Sequence, residues 1–183
     1  MKAKFLFGAA LLFLSAVHSS NAAQTSCHQS IGPQLAAKLV DQCRQVSPAT
    51  RPPCNANNAC EVVSSEIDRS CNLLSGGNQA PSFCTAQIKK QETLEGTLIA
   101  GGGIDDLSIT IFTEDGRRVR AYCDGKCGDW FDSAEGSDET KLSPQFNGRK
   151  VVLSVTLEAN KSRIAGPGTN EKLIFVKQVR LNK

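Results

Sequence analysis

The sequence is poor in the residues on which most enzyme sites depend. Its 183 residues include two histidines, one tyrosine and one tryptophan. It also lacks G-x-S-x-G and H-E-x-x-H, the patterns that signal a serine hydrolase and a zinc peptidase. We therefore predict a non-catalytic protein, although two carboxylates that meet only in the fold would escape this reasoning.

Beyond residue 23, the sequence lacks an apolar run long enough to cross a membrane. The one long apolar run, Phe5–Val17, follows a basic start and precedes the small-x-small sequence Ser20-Asn21-Ala22. This arrangement is typical of a secretory signal peptide. We predict a signal peptide over residues 1–23, export to the periplasm or beyond, and a soluble mature protein without a membrane span.

The predicted mature chain also lacks a large excess of either charge. Removal of the leader takes away Lys2 and Lys4 and no acidic residue, so the formal net charge falls from +3 to +1. A protein this close to neutral has no global field to attract nucleic acid or an anionic membrane. We expect no nucleic-acid partner, and recognition has to rely on local patches.

Zinc-binding patterns are missing as well, although cysteine is abundant. There is no C-x2-C pair, and His28 is the only histidine after the predicted leader. All eight cysteines follow the leader, at positions 27, 43, 54, 60, 71, 84, 123 and 127. An even number in an exported chain predicts disulfides. No metal and no cofactor is expected.

Six of the cysteines lie in residues 24–86, which show helical periodicity. Two apolar stripes recur at spacings of three and four residues: Ile31, Leu35, Leu39, Cys43 and Val46, and then Cys60, Val63, Ile67, Cys71 and Leu74. A loop rich in proline and asparagine separates them, and Asn58 with Glu61 resembles a capping box. The pattern predicts an antiparallel helical hairpin.

This hairpin restricts the possible disulfides. Cys60 and Cys71 share one helix, where their separation of about 16 Å exceeds the reach of a disulfide, about 7 Å. In an antiparallel hairpin, the residue numbers of partners have a nearly constant sum. That rule favours Cys43–Cys60 and Cys27–Cys71 and leaves Cys54–Cys84, although sequence alone does not determine the connectivity.

From Thr93 onward, β-branched residues alternate with polar ones. Five strands are predicted, at Thr93–Ala100, Leu107–Thr113, Arg117–Cys123, Lys150–Glu158 and Lys172–Leu181. Residues 87–91 are predicted to be a linker. The polar insert Gly128–Gly148 has room for a short helix.

The register of the second and third strands follows from their arginines. A two-residue turn at Asp115-Gly116 would place Arg120 opposite Ile111, on the apolar face. A three-residue loop with Gly116 in the left-handed conformation reverses the parity. We predict the three-residue loop, because burial of unpaired arginines is costly. A second such loop, 124–126, would place Cys127 opposite Cys123, which predicts a Cys123–Cys127 disulfide.

Five strands, a glycine (Gly96) within a long first strand, and a break after the third strand resemble the OB fold over residues 92–183. The resemblance is to small exported bacterial OB-fold domains and rests on the order of elements. The predicted fold class is α+β, with a disulfide-stapled helical hairpin followed by a five-stranded OB-like β-barrel.

The resemblance implies a ligand site. OB folds usually bind ligands on the face of strands two and three, between two flanking loops, here residues 100–106 and 162–171. The implied ligand residues are Thr110, Phe112, Arg118, Arg120, Tyr122 and Arg163. Arginines beside aromatic rings suit a carboxylate or phosphate on a planar or sugar group. The alternative is a face that is solvated, or covered by the helical unit.

Other motifs receive a structural interpretation. Gly101–Gly103 lacks the lysine of a P-loop and is predicted to be a flexible turn. The acidic residues of the insert lack the EF-hand pattern and are predicted to be solvated. Trp130 and Phe131 are predicted to anchor the insert on the end of the barrel.

The favoured function is an exported, non-catalytic binding module for a protein, a peptide or an anionic saccharide of the envelope. One alternative is an inhibitor or immunity-type protein that inserts a loop, either 166–168 or the Trp130 insert. Another is a carboxylate-dependent envelope hydrolase.

Overall fold

The computed structural model describes residues 25–75, 80–85, 88, 90–133 and 136–182. The predicted signal peptide lies outside these residues, as does part of the predicted linker. The described part contains three α-helices and a seven-stranded mixed sheet, which confirms the α+β class. No helix within it has the length and apolar character that a membrane crossing requires.

The helices form the N-terminal unit. They are α1 at Cys27–Ile31, α2 at Pro33–Val46 and α3 at Cys60–Leu74. The two longer helices bury stripes that include Leu39 and Cys43 in α2 and Val63 and Ile67 in α3, as the periodicity predicted. Helix α3 begins after Ala59, so Asn58 is not its cap. Five residues are too few for α1 to leave a periodic pattern.

The predicted disulfides of this unit are wrong. The structure pairs Cys27 with Cys60, Cys43 with Cys54, and Cys71 with Cys84, so Cys43–Cys60, Cys27–Cys71 and Cys54–Cys84 do not form. Helix α1 accounts for the first difference, because it lies at the start of α3. The backbone N–H of Cys27 donates to the carbonyl of Asn58 at 2.7 Å.

The other two bridges each tie a helix to the segment that follows it. Cys54 lies in the loop after α2, and Cys84 ends the 3-10 turn Ser82–Cys84 after α3. The rule of constant sums considers only helix-to-helix pairs and so could not find them. The fourth disulfide joins Cys123 and Cys127, the pair that the hairpin register predicted.

The sheet has the order β2-β3-β7-β6-β1-β5-β4. Its strands are β1 Gln91–Gly103, β2 Ser108–Phe112, β3 Arg118–Tyr122, β4 Phe131–Ser133, β5 Thr140–Leu142, β6 Lys150–Ala159 and β7 Lys172–Leu181. Strand β1 pairs with both β6 and β2, and β3 pairs with β7 in parallel. The five long strands therefore form a closed circuit of pairings, β1-β2-β3-β7-β6-β1.

The predicted register of the β2–β3 hairpin is confirmed. The opposed pairs are Ser108–Tyr122, Ile109–Ala121, Thr110–Arg120, Ile111–Val119 and Phe112–Arg118. Gly116 has a φ of +90° in the connecting loop, as the three-residue loop requires. The apolar cluster that the sheet buries, which we call the sheet core, includes Ile109, Ile111, Val119 and Ala121.

The insert before β6 contains a short 3-10 helix, Pro144–Phe146, and the hairpin β4–β5, which was not predicted. The glycines of residues 101–103 are not a flexible turn but the end of β1, which pairs with β5. A Cβ on Gly102 would lie 2.2 Å from the carbonyl oxygen of Thr140. The glycine therefore permits a close approach of two backbones. Trp130 and Phe131 pack against the sheet core, as predicted.

Two apolar clusters form the interior. The sheet core is enclosed by the circuit of strands. The second cluster joins the helices and their cysteines to Ile99 of β1 and Phe112 of β2. Because these two side chains belong to the helical cluster, the helical unit packs on the outer surface of the β1–β2 pair.

Candidate functional site

The helical unit covers one end of the predicted ligand face. Phe112 is fully buried in the helical cluster. The Arg118 side chain is 6% exposed, and its Nη1 lies 2.6 Å from Asp68 Oδ1 of α3. The same nitrogen lies 3.4 Å from Ser64 Oγ. Phe112 and Arg118 therefore hold the two parts of the protein together.

The other end of the face is open. Arg120 is exposed, whereas its cross-strand partner Thr110 is buried beside it. Arg120 Nε donates to Ser108 Oγ at 3.1 Å, and its guanidinium carbon lies 5.7 Å from the centre of the Tyr122 ring. Among the described residues, no acidic side chain forms an ion pair with Arg120. Its side chain is thus held in place while its charge stays available.

A row of alternating cations and rings continues from Arg120 across the neighbouring strand. The rings of Tyr122 and Phe175 are 6.2 Å apart, and the Arg163 guanidinium carbon lies 3.5 Å from the Phe175 ring centre. We call Arg120, Tyr122, Phe175 and Arg163 the arginine–aromatic strip; Phe175 is fully buried, so it supports Tyr122 and Arg163 from below and offers no contact surface itself. The two ends of the strip differ in charge balance. At one end Arg163 contacts Glu158 at 3.1 Å and Asp124 at 3.4 Å, whereas Arg120 at the other end has no ion pair among the described residues.

A cleft of about 170 Å³ opens beside Arg120, between α3 and the glycine end of β1. Its lining includes Glu61, Asp68 and Glu139 in addition to Thr110 and Arg120. Burial raises the pKa of Glu61, Lys141 acts in the opposite direction, and Glu139 adds to the rise. A carboxyl group that keeps its proton more readily can donate a hydrogen bond as well as accept one. The cleft therefore combines a guanidinium that has no ion pair among the described residues with groups that suit hydroxyls and amines.

The loop between β6 and β7 forms the far border of the strip. Asn160 is fully buried, and its Nδ2 donates to the carbonyls of Ile164 at 3.0 Å and Pro167 at 2.9 Å. Its Oδ1 accepts from the backbone N–H of Ile164 at 2.9 Å. One side chain thus fixes the loop, whose tip at Gly166 and Gly168 has open space around it.

The sequence predicted Thr110, Arg120, Tyr122 and Arg163 on this surface. In the structure Thr110 and Arg120 line the cleft, whereas Tyr122 and Arg163 belong to the strip that leads away from it. The prediction missed Phe175, which joins Tyr122 to Arg163, and Asn160, which holds the loop. Phe175 lies in a predicted strand, but no local signal pairs that strand with β3. Asn160 directly follows a predicted strand, a position that loop residues commonly occupy. The sequence pattern therefore does not indicate that its side chain is buried.

Metal ligation has no support in the described ranges. They contain no group of three or more histidine, cysteine, aspartate or glutamate side chains arranged to hold an ion. All eight cysteines form disulfides. His28 Nδ1 lies 3.2 Å from the carbonyl oxygen of Ala56, far from the strip in the chain.

The chain matches no protein-family model, no curated protein and no solved structure.

Proposed function

We propose that the protein is an exported, non-catalytic binding module, and that its ligand surface is the arginine–aromatic strip with the adjoining cleft. The fold behind this proposal is an OB-like barrel made of β1, β2, β3, β6 and β7. Its support is the closed circuit of pairings, with β3 and β7 parallel. In such a barrel the strip lies on the face that OB folds use for ligands.

Export is supported by the leader pattern of residues 1–23 and by the four disulfides, which persist in oxidising compartments. The periplasm or the exterior of the cell would then supply the ligand.

Arg120 is the observation that carries the proposal. An exposed guanidinium that is oriented by Ser108 and Tyr122, and that has no ion pair among the described residues, loses little entropy on binding an anion. A carboxylate can accept two parallel hydrogen bonds from such a fork. Tyr122 beside it offers a ring for stacking, so the expected ligand is a carboxylate-bearing peptide or saccharide.

The acids of the cleft favour binding over hydrolysis. Asp68 is paired with Arg118, and Glu139 lies 3.3 Å from Lys141. Burial raises the pKa of Glu61, as a general acid requires, but Asp68 and Glu139 are engaged in ion pairs. A two-carboxylate mechanism needs a second, available carboxylate opposite the first.

The proposal can be tested by amide chemical-shift titration with two defined probes, a capped tetrapeptide of glutamate and a tetragalacturonate. We expect shifts at Ser108, Thr110, Arg120 and Tyr122 with at least one probe. Arg120→Gln should weaken that binding about 10- to 100-fold, because a charge-assisted hydrogen bond contributes about 1.5–3 kcal/mol. Arg180→Gln is the matched control, since Arg180 is an exposed strand arginine on β7. No shifts with either probe, or equal binding by Arg120→Gln, would contradict the proposal.

A second candidate is an inhibitor that inserts the loop between β6 and β7 into a partner. The fixation of this loop by Asn160 favours it, because a pre-organised loop loses little entropy on binding. Asn160→Ala should then weaken partner binding strongly, while Arg120→Gln leaves it unchanged. The reverse result would assign binding to the strip.

A further inference from the structure

A second pocket lies along the start of β3 and includes Arg118 in its lining. We propose that this site binds a short, extended peptide through its backbone amides, as an added strand beside β3. The proposal is independent of the arginine–aromatic strip, because it uses other atoms and another surface.

The site is a pocket of about 310 Å³ between α2, the 3-10 turn after α3, and the start of β3. Five consecutive residues, 115–119, line one wall, so the pocket runs along the start of the strand. Gln42 and Phe83 contribute to the remaining walls. An elongated pocket along a strand fits a chain better than a compact solute.

Two buried polar atoms of the residues that line this pocket, Arg118 Nε and Gln42 Oε1, have no hydrogen-bond partner in the part of the chain that the structure describes. Each side chain is held by its other end: Arg118 Nη1 contacts Asp68, and Gln42 Nε2 donates to the carbonyl of Gly116 at 2.6 Å. Buried polar atoms are nearly always satisfied in folded proteins. One unpaired donor and one unpaired acceptor are complementary to the C=O and N–H of an amide.

The edge of β3 is open in the same place. The pairing of β3 with β7 is confined to Tyr122 opposite Phe175. Because Ile111 and Val119 exchange backbone bonds in the β2–β3 ladder, Arg118 and Arg120 direct their backbone groups away from β2. Over this stretch, no described strand pairs with that edge of β3. An unpaired edge is a template for strand addition.

The local charges favour a neutral ligand. Arg118 is paired with Asp68, and Arg117 with Glu92 and Asp115. An anion would compete with these carboxylates, whereas a peptide amide uses only the two unpaired atoms. The chemical class of the ligand is therefore an uncharged stretch of extended polypeptide.

The test is an amide chemical-shift titration of the full mature protein with a capped tetrapeptide of alternating valine and threonine. The comparison probe has the same side chains but N-methylated amides, which cannot donate. We expect shifts at Gly116 to Val119 and at the Gln42 side chain, with a Kd of about 1 mM or tighter. N-methylation should weaken binding about tenfold through the loss of its hydrogen bonds.

Two variants refine the result. Arg118→Lys keeps the charge beside Asp68 but removes the Nε donor, and Gln42→Met removes the acceptor together with the hydrogen bond to the Gly116 carbonyl. Each should weaken the peptide about tenfold. If Arg118→Lys fails to fold, Gln42→Met and the N-methylated probe still test whether the peptide binds at this pocket.

The proposal is overturned by an absence of shifts, or by equal binding of both peptides. Shifts confined to Arg120 and Tyr122 would also overturn it, while leaving the proposed function of the strip intact. Conversely, binding here with no carboxylate binding at Arg120 would overturn the proposed function alone.

Discussion

The helical unit and the sheet are stabilised in different ways. Three of the four disulfides lie in the helical unit, whereas the sheet has one, which closes a tight turn. A unit of about sixty residues buries little apolar surface on its own, and cross-links compensate by restricting the unfolded chain. The sheet depends instead on its closed pairings and its own apolar core. Five of the buried residues in the helical cluster are cysteines, so cross-links form part of the core of the smaller unit.

The two parts nevertheless share one surface. Ile99 and Phe112 of the sheet belong to the helical cluster, and Arg118 is paired with Asp68 of α3. The helical unit thereby determines how much of the β2–β3 face remains open. Disulfides that stabilise the helices also maintain the border of the proposed ligand site.

The largest expected effect comes from removing Cys27–Cys60. The double change Cys27→Ser and Cys60→Ser opens a loop with a sequence separation of 33 residues. It should lower the free energy of unfolding of the helical unit by about 3–4 kcal/mol. Hydrogen exchange should show lost protection in α1 to α3 and retained protection in β6 and β7.

The matched control removes Cys123–Cys127, which has a sequence separation of 4. Its expected cost is smaller, about 2 kcal/mol, because loop-closure entropy grows with length. If the two double variants lose equal stability, or if the sheet opens first, the contrast between the two parts is wrong.

Gly148→Ala tests the contact between the two parts. Gly148 has a φ of +78°, and an added Cβ would lie 2.2 Å from the carbonyl oxygen of Ser30 in α1. Backbone strain and the displaced helix should together cost about 3 kcal/mol, measured by urea unfolding. Gly125→Ala is the control, with a φ of +72° and open space around it. It should cost only the strain, about 1–2 kcal/mol.

Acid should weaken both parts through one buried carboxylate and one half-exposed carboxylate. Hydrogen bonds from Arg69, opposed by burial and aided by Ser47 and Ser70, lower the pKa of Glu66 in α3 from 4.5 to about 2. Lys177, Thr156 and Arg163 lower the pKa of Glu158 in β6 to about 2 as well, against its burial. In both cases the unfolded chain binds protons more readily than the folded chain. The stabilisation is therefore complete above pH 4.5 and is lost as the pH falls towards about 2.

Glu66→Gln should flatten this acid dependence in the helical unit and cost about 1–3 kcal/mol at neutral pH. Glu158→Gln should have the smaller effect, because the Glu158 side chain is 35% exposed and solvent screens its ion pairs. Thermal melting across the acid range measures both. An unchanged acid slope in Glu66→Gln would show that Glu66 is not the titrating group.

The smallest expected effect is that of Arg120→Gln on stability. Arg120 is exposed and has no ion pair among the described residues, so the change should alter the free energy of unfolding by no more than about 0.5 kcal/mol. Arg118→Gln should cost distinctly more, because it leaves Asp68 without its buried partner. Comparable losses from the two changes would mean that the face is not divided into a covered and an open end.

Arg118 and Arg120 show which properties of the face could be predicted from the sequence and which could not. Alternation along one strand correctly placed both arginines on the same face, because parity is a local property. The difference in burial and ion pairing between the two arginines depends on Asp68, which is 50 residues from Arg118 in the chain. The helical stripes were predictable for the same local reason. The disulfides of the helical unit were not predictable, because one depends on α1 and the other two on the segments that follow α2 and α3. The β4–β5 hairpin was not predictable either, because it depends on the close approach of β5 to Gly102.

The central claim is that the open end of the β2–β3 face binds a ligand of the cell envelope. Its most direct test is the material that immobilised mature protein retains from a native envelope extract, compared among the wild type, Arg120→Gln and Arg180→Gln. We expect the wild type and Arg180→Gln to retain one or more carboxylate-bearing components that Arg120→Gln does not retain. Equal retention by all three proteins would contradict it.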